Sequence, residues 1–573
     1  MNSLKKLLLI VVALATFTTL FYNLVWSPEW QVKHWPETRI RAEYITATVK
    51  QALNTNNPAP DFVAFSEHKD VEKSIFLRVL LSLFITVVLV AALNFVPLLA
   101  GWGKTERLRG SQLVPVPQLK RLIWWREHKK TIGIFAMYML IGVCLTAFIA
   151  YKTGSIFSML GAFSAVGLFL FAQYMSAGTL RSAQKVNIGG VPIPLELEGR
   201  HILVEGTTGA GKSQAIYQLI AAARARGDRG LVMDIGGACA KRFQRKHDLR
   251  LAFAGDGLKW NPFLEVRSAF DYPELARAAI PEGQGSGKSW HENARLLFMT
   301  VFQKLYETGD HSIEKLLYYV NHAPMEELGP FIEGTAAAVF GQKNNETVLQ
   351  NTRSVAVSCL QSWAFLPDGG EFSIREWIRA SKPGQWLFIQ YKDDQIAAIR
   401  QLLACWLQLA ITETLSLDEE KTVPTWFIAD EFDTLGQVTS AKDALTKLRR
   451  FNGRCLFGIQ TVAQPWATYG REIAQVLLSC LSTKLYLRAG DTDTAEYCSK
   501  SLGDEELLRS EQSRSRRGLL GLGGDPSRSS ADRHVINKIV LPSELERLPD
   551  LVGYLSIAGD FPIAKVKIPV YKK

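Results

Sequence analysis

Eight consecutive residues, Gly206-Thr207-Thr208-Gly209-Ala210-Gly211-Lys212-Ser213, follow the pattern GxxxxGK[ST] in full. Glycine at these places lets backbone N–H groups turn toward phosphate oxygens, so the whole run from Gly206 to Ser213 is the expected cradle for a nucleoside triphosphate. Lys212 is placed to reach the β- and γ-phosphates, and the Ser213 hydroxyl to ligand Mg²⁺. The flanks agree with this chemistry. His201 to Val204 reads as a short buried strand, and Gln214 to Arg224 as a helix whose positive N-terminal end faces the phosphates.

Hydrolysis needs further groups, and the sequence offers them downstream. The apolar run Thr425-Trp426-Phe427-Ile428-Ala429 reads as a strand ending on Asp430-Glu431, the Walker B pattern. Asp430 would hold Mg²⁺, directly or through water, and Glu431 would orient or deprotonate the attacking water. A helical segment from Ala441 to Phe451 follows, with Lys447, Arg449 and Arg450 near its end and Arg454 beyond it. The strand Cys455 to Ile459 then ends on Gln460. A polar residue at that strand end can sense the γ-phosphate. An arginine in the preceding segment can reach a neighbouring subunit's nucleotide, although for any one of them a solvated helix face is equally consistent. Gly285-Ser286-Gly287-Lys288-Ser289 imitates the end of a P-loop, but Glu282 stands where the first glycine belongs and the segment before it, Glu274 to Ile280, reads as helix. It is expected to be a flexible polar loop.

These residues require an α/β scaffold, and the chain is long enough for several domains at 573 residues. A further strand, Gly230 to Met233, ends on Asp234, and the α/β pattern resumes at Gln385 to Ile389. Between them, from about Arg267 to Asp368, the periodicity is helical, as in Asn293 to Glu307 and Ser312 to Val320. The expected organisation is therefore a nucleotide-binding domain over 177–266 and 369–573, interrupted by an all-α domain over 267–368. Ser510 to Asp532, rich in Ser, Arg and Gly, is expected to be a mobile loop.

Residues 1–176 differ in kind. Four apolar runs, about 7–26, 79–99, 132–151 and 156–174, each approach the ~20 residues that cross a bilayer as a helix. The first could be a signal peptide, since Ala13-Leu14-Ala15 resembles a cleavage site, but its apolar residues continue to Trp26 and favour an uncleaved anchor. Lys104, Arg107, Arg109, Lys120, Arg121, Arg126, Lys129 and Lys130 crowd between the second and third runs. The positive-inside rule then puts that basic loop and everything after Met175 inside, with a periplasmic loop over about 27–73. None of the seven cysteines are spaced as CxxC, which fits reduced thiols in a cytoplasmic compartment. The formal net charge of +11 favours acidic partners, nucleic acid or anionic lipid, and Lys241, Arg242, Arg245, Lys246 and Arg250 form one candidate DNA contact.

Longer phrases point to a family. Asp368-Gly369-Gly370-Glu371-Phe372-Ser373-Ile374-Arg375, Asp443-Ala444-Leu445-Thr446-Lys447, Phe457-Gly458-Ile459-Gln460, Leu548-Pro549-Asp550-Leu551 and Pro562-Ile563-Ala564-Lys565-Val566 stand in order behind the P-loop. From about Lys185 onward the chain resembles the type IV secretion coupling proteins of bacterial conjugation, in the TraD/TrwB branch. The resemblance implies a RecA-like nucleotide-binding domain with a small all-α domain, a homo-hexameric ring on the bacterial inner membrane, and ATP with Mg²⁺ as nucleotide and metal. It implies coupling of a relaxase-bound DNA strand, the relaxosome, to the secretion channel, with DNA bound without sequence preference and transfer driven by hydrolysis. Carried over by position, Lys212 and Ser213 bind phosphate and Mg²⁺, Asp430 and Glu431 are Walker B, Arg449 matches the arginine finger with Arg450 as its alternative, and Gln460 matches the sensor glutamine.

Three departures qualify it. The hairpin 132–174 is extra to the two spans usual in the family. The turn Ile235 to Ala238 lacks the further acidic residue usual in the branch. No acidic tail like that of some relatives precedes Lys573, so docking by that route is not expected. Two other functions fit the same motor: a chromosome-segregation type DNA translocase, which usually carries a separate C-terminal DNA-reading module, and a receptor that selects protein substrates for secretion.

Overall fold

The computed structural model describes residues 107–127, 185–253, 257–283, 285–419, 422–438, 441–514 and 528–571. The four apolar runs near the N-terminus lie outside them. The chain divides into two compact units, the larger made of residues 108–129, 177–506 and 535–573.

The larger unit is built on one ten-stranded sheet. Seven neighbouring strands are parallel, in the order Thr483–Tyr486, Ile202–Glu205, Gly453–Ile459, Thr425–Ala429, Arg229–Ile235, Trp386–Tyr391 and Leu249–Ala252. Val552–Ser556 and Ile563–Lys567 extend it antiparallel beyond Thr483–Tyr486. Leu113–Val114 closes that edge, parallel to Ile563–Ala564. This last strand comes from the stretch expected to be a basic loop between membrane spans. Two strand residues are too few to leave a period in the sequence, so the pattern could not reveal them.

A parallel sheet is covered on both faces, so its strands read as continuous apolar runs. Alternate residues nevertheless serve different cores. Leu203, Phe427, Ala429, Leu387 and Ile389 enter one cluster; Ile202, Val204, Trp426, Ile428, Trp386 and Phe388 enter the other. Each such buried side chain contributes roughly 1.5–3 kcal/mol relative to exposure. The second face carries the helix Lys212–Arg226. The first carries Ile396–Leu415, a helix apolar almost all round, as a helix inside a large core must be. Among the described residues the stretch Asp393–Leu415 alone is long and apolar enough to cross a membrane, and most of its apolar 18-residue window is buried.

Between Asp271 and Phe365 every described element is a helix, including Lys288–Glu307, Ile313–Asn321 and Glu346–Leu360. Their core is continuous with that of the sheet through Phe298, Trp363, Trp260 and Trp406, whose rings meet edge to face at 5.3–5.8 Å. A buried carboxylate fastens the junction. Glu265 accepts from Trp260 Nε1 (2.6 Å), Ser373 Oγ (3.0 Å) and the backbone N–H groups of Ile374 (2.7 Å) and Arg375 (3.0 Å). It thereby satisfies first-turn donors of the helix Ile374–Ala380.

Two stretches expected to be loops contain regular structure where they are described, residues 515–527 lying outside the described residues. Gly285–Gly287 is a 3₁₀ turn that leads into the helix beginning at Lys288, itself paired with Glu282 at 3.1 Å. Both ends of the Ser510–Asp532 stretch lie in strands, Asp504–Arg514 and Arg528–Lys538, which pair in a separate sheet with Arg107–Gly110. Strand preference depends on context, and cross-strand pairing overrides a weak local preference. The six described cysteines are free thiols.

His201 does not belong to the P-loop strand as the sequence suggested; its φ is 60°, and the strand starts at Ile202. The ring is buried. Nδ1 accepts from the Cys455 N–H (3.0 Å), so Nε2 carries the hydrogen and donates to Leu445 O (2.8 Å). Burial, aided by the Arg449 charge, pushes its pKa down to about 4. The unfolded chain takes up the proton near pH 6.5 and the folded one only near 4, so stability is complete above 6.5 and falls as pH drops through that window. The loss is about 3 kcal/mol. Denaturant titrations between pH 7 and 4 should show a steeper decline for the native chain than for His201→Asn; parallel curves would contradict this assignment.

Candidate nucleotide-binding site

The loop between Ile202–Glu205 and the helix Lys212–Arg226 makes sharp backbone turns that only glycine takes freely. Gly209 has φ +81° and Gly211 φ +109°. Neighbouring strand ends fasten it. Gly206 N–H donates to Ile459 O (3.2 Å), Thr207 N–H to Arg488 O (2.9 Å), and Leu551 N–H to Ala210 O (2.9 Å). Leu551, itself at φ 62°, packs so closely that a Cβ on Gly211 would lie 2.7 Å from its Cδ2. The helix has no side-chain cap, which leaves its first-turn N–H groups for an anion. Lys212 is buried, and its Nζ has no hydrogen-bond partner in the chain.

The strand order brings the second motif to this loop. Gly453–Ile459 lies between the P-loop strand and the Walker B strand, so Gln460 emerges between their ends. The approach is tight: a Cβ on Gly458 would sit 2.0 Å from Asp430 O. Ser213 Oγ donates to Asp430 Oδ2 at 2.7 Å, while Asp430 Oδ1 is buried without a partner. Burial raises the Asp430 pKa; the nearby Lys212 ammonium and the Ser213 hydroxyl pull it back down. Gln460 Nε2 donates to Glu431 Oε1 at 2.7 Å. A buried ammonium, a serine hydroxyl, an unpaired carboxylate oxygen and open space around Gly209 together fit a polyphosphate with its divalent cation. Among the described residues no group of three or more His, Cys, Asp or Glu could hold a metal alone.

With this geometry the comparisons with known proteins are decisive. Residues 185–569 match the family described as the type IV secretion-system coupling protein DNA-binding domain. The chain belongs to the type IV secretion-system coupling proteins. It is 25% identical over 488 residues to coupling protein TraD of Escherichia coli K12, covering 82% of this chain and 66% of TraD. It is 22% identical over 335 residues to VirD4 of Rhizobium radiobacter, covering 54% and 47%. The chain thus spans just under two thirds of one curated relative and about half of the other. Among solved structures it resembles unbound TrwBΔN70 (29% identity, TM-score 0.65, 82% of this chain and 94% of that one). It resembles equally TrwB in complex with ADP and Mg²⁺ (29% identity, TM-score 0.65, 82% and 96%).

Not every expected residue of this coupling protein gathers at the loop. Arg449 lies in the turn Leu448–Phe451, just before the strand that ends at Gln460. At about 3.3 Å per residue that seven-residue strand holds it roughly 20 Å from its own P-loop, at the N-terminal ends of the strands. Its guanidinium reaches Glu196 O at 3.5 Å. Arg450 is exposed beside it, whereas Arg454 is buried and forms an ion pair with Glu198 (3.0 Å). Asp234 accepts from the Cys239 and Ala240 N–H groups (2.8 Å each) and so caps the short helix Ala238–Phe243. Of the basic cluster, Lys241, Arg242, Arg245 and Lys246 are exposed, with Arg242 lying over the Tyr217 ring at 4.7 Å.

Sequence reasoning missed the braces. In the sequence Leu551 stands out only within the phrase Leu548-Pro549-Asp550-Leu551. Asp491 caps the helix Thr492–Leu502, and Thr494 Oγ1 accepts from Val462 N–H (3.0 Å), which fixes the loop after Gln460. An Asp three residues before a Thr was the available signal. Gly211→Ala should lower nucleotide affinity at least tenfold, about 1.4 kcal/mol, by straining the loop and displacing Leu551. A fluorescent-nucleotide titration of the full-length variant checks this; unchanged affinity would mean Leu551 yields freely.

Proposed function

We propose that this coupling protein is an ATPase of a conjugative type IV secretion system that links a relaxase–DNA complex to the secretion channel and drives DNA transfer. The observation that carries it is the pairing of two buried, unpartnered groups, Lys212 Nζ and Asp430 Oδ1, around Ser213, on a fold whose relative TrwB binds ADP and Mg²⁺. TrwB also has a complex with an ATP analogue.

Ser213 and Asp430 would hold Mg²⁺, which when bound neutralises charge on the phosphate oxygens. Lys212 supplies positive charge to the β- and γ-phosphates without a competing partner in the chain. The N–H groups of Thr207 to Ser213 orient the phosphates, apart from those already committed to Arg488 and Thr207 carbonyls. Gln460 holds one oxygen of Glu431 and leaves Oε2 to take the proton of the attacking water. Arg449 cannot act within its own subunit, so it serves the nucleotide of the next subunit in a ring, taken to be a hexamer. The apolar runs within residues 1–106 and 130–176 anchor the ring in the inner membrane as a multi-pass segment, and the motor, to which Leu113–Val114 belongs, faces the cytoplasm. Single-stranded DNA passes as a charged polymer, held by Lys and Arg without base reading.

The full-length chain tests the chemistry through two substitutions with different signatures. Lys212→Ala should lose both nucleotide affinity and hydrolysis without lowering its thermal midpoint, since the ammonium is buried and makes no hydrogen bond in the chain. Glu431→Gln should bind nucleotide within about threefold of the native chain while its turnover falls at least 10²-fold. Native turnover in the Glu431→Gln chain would remove Glu431 from the mechanism.

A further inference from the structure

His201 stands immediately ahead of the P-loop strand and is 1% exposed. Its left-handed backbone is one that few side-chain-bearing residues adopt, Asn, Asp and His being the least rare. Every polar group of the residue is engaged. Its N–H donates to Glu198 O (3.2 Å), and its carbonyl accepts from Thr483 N–H (3.1 Å). The two ring nitrogens serve Cys455 N–H and Leu445 O.

These partners belong to separate parts of the catalytic apparatus. Cys455 lies on the strand that ends at Gln460. Leu445 lies in the last turn of the helix Ala441–Lys447, where carbonyls lack intrahelical donors. That helix continues directly into the turn holding Arg449. On its other side Arg449 rests against Gly199, where a Cβ would come within 3.0 Å of its Cγ. An apolar side chain could fill the volume of the imidazole, but only a group with a donor and an acceptor at fixed separation can bond both Cys455 and Leu445.

We infer that His201 is a positioning residue that ties Arg449 to this subunit's own P-loop strand, so that the arginine offered to the neighbouring nucleotide follows the strand that holds the subunit's own. This rests on the reading of Arg449 as an arginine donated between subunits. The imidazole is a rigid strut: movement of the P-loop strand along its axis carries the Leu445 carbonyl, and with it the turn at Arg449. Binding at one site is thereby expressed at the next.

His201→Asn separates this role from mere folding. Asn tolerates the left-handed backbone, its Oδ1 can still accept from Cys455 N–H, and it is too short to reach Leu445 O. Full-length chains are mixed in pairs. A Lys212→Ala chain can offer only its arginine, and an Arg449→Ala chain only its P-loop, so hydrolysis by the mixture reports sites shared between the two. His201→Asn added to the Lys212→Ala chain should cut that hydrolysis at least tenfold. Added instead to the Arg449→Ala chain, it should cut it less than threefold. Equal losses in the two placements, or no loss in the first, would overturn the inference. Failure of the Lys212→Ala and Arg449→Ala chains to complement each other would be a different failure, that of the donated arginine itself, and the role of His201 would fall with it.

Discussion

Ser213 and Asp430 are 217 residues apart in the chain, yet their side chains meet at 2.7 Å. Most of the structure follows from the need to make that contact without filling the space in which phosphates must lie. The P-loop strand and the Walker B strand are not neighbours, because the strand leading to Gln460 separates them. Asp430 therefore reaches across one strand, and Gly458 is the residue that allows the backbone of that strand to come so close. The same separation seats Gln460 against Glu431. The cost is two buried groups at the site without a hydrogen bond, Lys212 Nζ and Asp430 Oδ1, which a bound phosphate and its cation would satisfy.

The sheet has chemistry at both ends of its strands. Nucleotide groups cluster at the C-terminal ends. Arg449 stands at the N-terminal ends, beside a buried ion network in which Glu198 pairs with Arg226 (2.8 Å) and Arg454 (3.0 Å). Pairs this well enclosed add little net stability but hold groups in register. The proposed ring would put this arginine to use, since it stands at the end of the strands away from its own subunit's nucleotide site.

Much of this was legible in the sequence because it rests on local rules. GxxxxGK[ST] between a strand and a helix, an apolar strand ending in Asp430-Glu431, and helical periodicity from Arg267 to Asp368 each need only a short window. What escaped depends on non-local contacts. Leu113–Val114 is too short to show a period, and its place in the sheet comes from pairing with Ile563–Ala564. The left-handed turn at His201 leaves no mark in an apolar run, and Leu551 gains its meaning from Gly211, 340 positions away in the chain. The strands around 515–527 were hidden by a Ser- and Arg-rich composition that resembles a loop.

The central claim is that the nucleotide site belongs to a motor that acts on DNA. ATP hydrolysis by the full-length chain, measured with and without single-stranded DNA, tests it most directly. The account predicts that DNA raises the rate severalfold or more, with the effect fading as salt is increased. Hydrolysis that is indifferent to DNA at low salt, by a chain assembled as a ring, would contradict it.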